Sequence, residues 1–68
     1  MQFFYHSYTI ECAALLIGDA YVGEATIYSA SGGHLIECFR TGLRPPSVSQ
    51  VQAIGDARNA AEMWCDQH

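Results

Sequence analysis

Apolar and polar positions alternate along the first two thirds of this chain, then switch to a longer period. "YHSYTIECAALLI" (5–17), "YVGEATIYS" (21–29) and "HLIECFRT" (34–41) are rich in β-branched and aromatic residues and read as strands. "SVSQVQAIGDARNAAEMWCDQ" (47–67) repeats its apolar positions at spacings of three and four and reads as a helix. The breaks between them are "GD", "ASGG" and "GLRPP". On the helix, Val51, Ile54, Ala57, Ala61 and Trp64 form the expected apolar stripe, with Cys65 beside them. Ser47 with Gln50 fits a capping box, Ser49 is a second capping candidate, and Pro45 and Pro46 fix the chain ahead of them.

The stretch "GDAYVG" (18–23) has the outline G-x-x-x-x-G of a phosphate loop. Such a loop ends in Gly-Lys-Ser/Thr, whereas Gly23 is followed by Glu24 and Ala25. A carboxylate there repels phosphate. Read as a two-residue turn, Gly18-Asp19 pairs Leu16 with Tyr21, Ala14 with Gly23, Cys12 with Ala25, Ile10 with Ile27 and Tyr8 with Ser29. One face of the hairpin is then almost wholly apolar or small. A slip of one residue would carry Glu11 onto that face, so the pattern itself selects the register.

A four-residue loop "ASGG" extends the same logic: Ser29 pairs with His34, Ile27 with Ile36, and Ala25 with Cys38. The expected fold is α+β, a three-stranded antiparallel meander with one C-terminal helix packed on one face (β-β-β-α). It forms a single small domain. The helix should cover Ile10, Cys12, Leu16, Ala25, Ile27, Ile36 and Cys38, with Arg40 at the rim and Trp64 near Ile10, Tyr8 and His34. Gly23 and Ala14 leave room for close approach.

The opposite face then carries Leu15, Val22, Tyr28, Leu35 and Phe39 among Thr9, Glu11, Glu24, Thr26 and Glu37. A solvent face of an antiparallel sheet is ordinarily polar. A band of large apolar residues marks an association surface. The expected partner is a second copy in a homodimer, with another protein as the alternative. Phe3 and Phe4 add apolar side chains that so small a core has little room for, unless "MQFF" folds over the band.

Composition narrows the function classes. The 68 residues bear a net charge of −4, with three Lys+Arg against seven Asp+Glu. Nucleic-acid binders carry a basic stripe, and anionic membranes attract basic segments, so both partners are disfavoured. No secretory leader is read at the start, and no run reaches the roughly 20 apolar residues of a membrane span.

Three cysteines without C-x-x-C spacing make no disulfide framework. Cys12 and Cys38, flanking Ala25, would lie roughly 9–10 Å apart, beyond the ~7 Å Cα limit of a disulfide. They read as small buried hydrophobes in a reducing cytoplasm, with a metal or redox module as the least favoured class. His6, His34 and His68 gather at one end of the expected fold without the spacing of a zinc site. Ser29 beside His34 lacks an orienting carboxylate and an oxyanion site. No catalytic residue, metal ligand or cofactor is assigned.

The series "YHSYTI … GDAYVGEATI … GGHLIE … AAEMW" resembles small bacterial proteins of β-β-β-α type, a resemblance that implies a fold and no particular activity. The strand order with "ARNAAEMW" is also similar to HicB-type antitoxins, which implies a regulator bound to another protein; their Pro-Gly-Cys turn and acidic helix start are absent here. Double-stranded RNA-binding domains share the β-β-β-α part. The corresponding helix start here, "SVSQVQ", has no Lys or Arg, which argues against RNA binding.

Overall fold

The computed structural model describes residues 1–42 and 50–68. Four strands, β1 (Gln2–Tyr5), β2 (Tyr8–Ile17), β3 (Ala20–Ser29) and β4 (Leu35–Arg40), form one antiparallel sheet in chain order, and α1 (Gln50–Gln67) follows. The fold is α+β with a C-terminal helix on one face of the sheet, as the pattern requires, but the sheet has four strands rather than three.

The extra strand comes from a break at His6-Ser7. β1 folds back on β2 with Phe3 opposite Ile10, Phe4 opposite Thr9 and Tyr5 opposite Tyr8. The turn is made by His6, which adopts a positive φ of 55°. No Gly, Pro or Asn announces it, and His is among the few side chains that tolerate this region. "MQFF" therefore extends the sheet sideways. Phe3 packs against the core, while Phe4 turns to the open face.

The β2–β3 hairpin has the expected register throughout, with Gly18 at a φ of 63° in its two-residue turn. The β3–β4 register differs. Ser29 N–H donates to the His34 carbonyl at 2.8 Å, as that pairing requires. A bulge then intervenes: Tyr28 faces Leu35, but Ile27 faces Glu37, leaving Ile36 as the extra residue. From there every β4 side chain is reversed. Phe39 faces Ala25 and joins the helix side, whereas Cys38 faces Thr26 and Arg40 faces Glu24 on the open side.

The helix packs on β2 and β3. Its buried stripe is Ala53, Ala57, Ala61 and Cys65, with Ile54 and Trp64 half-buried at its flanks. Val51, expected in the stripe, is 75% exposed. The stripe of small residues lets the helix sit close to the sheet. A Cβ on Gly23 would collide with the Ala53 carbonyl oxygen and lie 3.0 Å from Ala57 Cβ. The core is thin as a result: Ile10, Ile27 and Cys12 are its largest fully buried side chains. Trp64 meets Tyr8 edge-on at 5.8 Å, as expected. The proposed caps at Ser47 and Ser49, with Pro45 and Pro46, lie outside the described residues.

Thr41 ties the end of β4 to β3. Its N–H donates to the Gly23 carbonyl at 2.8 Å, and its Oγ1 accepts from Gly23 N–H at 3.0 Å. Gly18 and Gly23 thus serve a turn and a close approach of helix to sheet.

Candidate functional site: the open face of the sheet

Strand alternation sends Thr9, Glu11, Ala13, Leu15 and Ile17 of β2 away from the helix, together with Val22, Glu24, Thr26 and Tyr28 of β3. Four of the five residues expected on this face are there, in two separate places. Leu15 faces Val22 near the Gly18 turn, and Tyr28 faces Leu35 at the opposite end. Val22 and Tyr28 are six positions apart along β3, about 20 Å at 3.4 Å per residue. Phe39 is on the other face, because the bulge at Ile36 reverses the register beyond it.

Between the two ends the rows are polar. Thr26 Oγ1 and Cys38 Sγ are 3.5 Å apart, and Arg40 Nε donates to Glu24 Oε2 at 3.2 Å. The expected continuous apolar band is therefore two patches divided by an ion pair and a hydroxyl–thiol contact. Val22 is only 3% exposed, so it adds almost no accessible surface to its patch. Ile17, beyond it, is exposed.

The stronger patch includes a residue not expected there. Phe4 faces Thr9, Thr9 faces Tyr28, and Tyr28 faces Leu35, so one row crosses all four strands. Phe4 is 80% exposed and Leu35 63% exposed at its two ends. The signal for Phe4 was in the pair Phe3-Phe4, whose neighbours must point to opposite faces of any strand that holds them. Alongside this row lies a shallow depression of about 390 Å³, lined by Gln2, Thr9, Glu11, Tyr28 and Ser29 among others.

The candidate chemical groups are placed as follows. Cys12 and Cys65 are buried in one core cluster, while Cys38 is exposed on the open face, so the three thiols do not converge on one layer. Burial pushes the Cys12 thiol above its ordinary pKa, against the pull of the Met1 ammonium and Arg58. Burial likewise raises Cys65, with Asp66 and Glu62 adding to the effect. Both are held as thiols, the unreactive form.

Among the histidines, His6 Nε2 lies 3.5 Å from Asp66 Oδ1, and His68 stacks on Trp64 with ring centroids 4.0 Å apart. His34 is in the β3–β4 loop, its ring against Gly32. The Ser29–His34 link runs through the backbone, and the Ser29 hydroxyl is 3.2 Å from that of Ser31. Tyr5 donates its phenolic hydrogen bond to Asp66 Oδ1 at 2.9 Å, which raises the Tyr5 pKa, with smaller contributions from desolvation and the Asp66 charge. Among the described residues, no group of three or more His, Cys, Asp or Glu is arranged to hold a metal ion. No helix among them is long and apolar enough to cross a membrane.

No protein-family description, curated protein or solved structure matches this chain.

Proposed function

We propose that this chain is a protein-association domain that pairs with a second copy of itself through the open face of its sheet. The observation that carries the reading is the row Phe4–Thr9–Tyr28–Leu35, which sets large, exposed apolar side chains on the face turned away from the helix. Such side chains favour an interface whose centre is dry and apolar. Under two-fold symmetry the same row serves both partners. Leu15 and Ile17 extend the contact towards the Gly18 turn.

The test is solution mass over a concentration series, by sedimentation. The expected result is a species of twice the 7.5 kDa chain, converted by Phe4→Glu into a folded monomer. A wild-type monomer at every concentration overturns the reading. Phe4 is the position to change, because Phe39 packs on the helix side and its loss would damage the fold.

The net charge of −4 favours, as a second reading, a regulator or adaptor that binds a basic protein. Capture of a basic partner that salt releases, from a chain that stays monomeric alone, would establish it in place of the first. We place the chain in the cytoplasm on its three unpaired thiols.

A further inference from the structure

The depression on the open face is polar where its surroundings are apolar. Gln2 of β1 and Thr9 and Glu11 of β2 line one side, Tyr28 and Ser29 of β3 the other, and the loop after β3 reaches it at Gly33. Its volume of about 390 Å³ falls within the roughly 300–1,000 Å³ of small-molecule sites. The lining offers a carboxylate, a carboxamide, two aliphatic hydroxyls and a phenol ring, and among the described residues it includes no basic side chain.

The carboxylate is the informative group. Strand alternation puts Glu11 and Glu24 on the open face. Glu24 accepts from Arg40 Nε at 3.2 Å, whereas Glu11 has no hydrogen-bond or ion-pair partner among the described residues. The nearby cations are engaged elsewhere. The Met1 ammonium donates to the Cys12 carbonyl at 2.8 Å, and Arg58 lies on the helix side, over Phe3 and 3.1 Å from Glu62. The chain as a whole, at a net charge of −4, draws cations from solution.

We propose that this depression is a binding site for a guanidinium group, held by the Glu11 carboxylate and laid against the Tyr28 ring. Thr9 faces Tyr28 and Glu11 faces Thr26, so Glu11 and Tyr28 are diagonal neighbours on one face. Such neighbours have backbones about 7–8 Å apart, a gap that side chains of this length span. A guanidinium between them makes two parallel N–H···O bonds to the carboxylate and stacks on the ring. The Thr9 and Ser29 hydroxyls are acceptors for its remaining N–H groups. A guanidinium is also more weakly hydrated than an ammonium ion, so it loses less on entering a shallow site. The site lies within a single chain and does not rest on the pairing of two copies.

The test is an NMR titration with butylguanidinium, with butylurea as the uncharged counterpart of the same shape. It is run on the wild type and on Phe4→Ser, which removes an anchor of the pairing row without adding charge. Resonances of Thr9, Glu11 and Tyr28 should shift saturably with a Kd of about 1 mM, as suits a ligand of so few atoms, and butylurea should leave them in place. Glu11→Gln should weaken binding about tenfold, and Tyr28→Leu about threefold. Nα-acetyl-arginine amide distinguishes the sources of the group. Binding as tight as that of butylguanidinium assigns the site to an arginine of a protein partner, and much weaker binding assigns it to a free guanidine.

The proposal is overturned by the absence of saturable shifts in both proteins. It is equally overturned by shifts as large at Asp19, in the turn outside the depression, or by binding that Glu11→Gln leaves unchanged. Sedimentation of the same samples reads the pairing separately: a wild-type monomer that binds the probe overturns the pairing alone, and a dimer with no binding in either protein overturns this site alone.

Discussion

Gly23 lies against the carbonyl oxygen of Ala53, with no room between them for a methyl group. The obstruction is backbone, so it does not move aside as a flexible side chain would. Thr41 Oγ1, at 2.9 Å from the same Cβ position, is engaged with the Gly23 backbone and is equally fixed. Gly23→Ala is expected to lower stability by about 1–3 kcal/mol, the usual range for overpacking. Denaturant titration monitored by Trp64 fluorescence measures it. A variant as stable as the wild type would mean that the helix can rise off β3 without penalty.

The two faces separate Phe4 from Phe39 as experimental probes. Phe39 is half-buried against the core cluster and Phe4 is 80% exposed. Phe39→Ala should destabilise the monomer by less than the roughly 3–5 kcal/mol typical of a fully buried Phe, but measurably. Phe4→Ala should change it by no more than about 0.5 kcal/mol. Thermal unfolding at a concentration where both are monomeric tests the pair. Equal effects would contradict the register beyond the bulge.

Thiol accessibility checks the same register independently. Cys38 is exposed, and Cys12 and Cys65 are buried with raised pKa values. An aromatic disulfide reagent at mildly alkaline pH should titrate one thiol per chain rapidly and the other two only on unfolding. If Cys38 lay under the helix, as simple alternation along "HLIECFRT" implies, no thiol would react quickly.

The Tyr5–Asp66 hydrogen bond joins the first strand to the last turn of the helix. The Tyr5 pKa lies above its ordinary value, first because its hydroxyl donates to Asp66, then through desolvation and the carboxylate charge. A raised folded-state value means that this contribution is present below the unfolded phenol's range. It is lost as pH rises through the folded-state value, in strongly alkaline solution. Phenolate absorbance of the folded protein should show one tyrosine ionising above the ordinary phenol range. Asp66→Asn should bring that ionisation back down.

The parts of the fold legible in the sequence were those with local punctuation. Gly18-Asp19 fixed a two-residue turn, and a slip of one residue would put Glu11 on the wrong face, so every pair from Tyr8–Ser29 to Leu16–Tyr21 could be read. The turn at His6-Ser7 was hidden because His6 reaches positive φ without a glycine. The bulge at Ile36 was hidden because a bulge interrupts a period of two without changing composition. That one residue moved Phe39 off the open face and put Cys38 and Arg40 onto it. The helix stripe was legible at Ala57, Ala61 and Cys65, with Ile54 and Trp64 at its flanks, and missed at one place: Val51 outweighs alanine in any hydrophobic count, yet Ala53 is what fits against Gly23. Of the association surface, Leu15, Tyr28 and Leu35 were legible, while Phe4 required the unseen first strand.

Because the helix rests on β2 and β3, β4 is held chiefly by its ladder to β3, by the Arg40–Glu24 pair and by Phe39. Such a strand can open as a small cooperative unit while the core keeps its packing. Its amide hydrogens should exchange with solvent earlier than those of Ile10 and Cys12. The hierarchy of opening therefore starts at the border with the most exposed backbone, and a fourth strand that detaches and returns would allow the sheet to gain or lose a neighbour without unfolding.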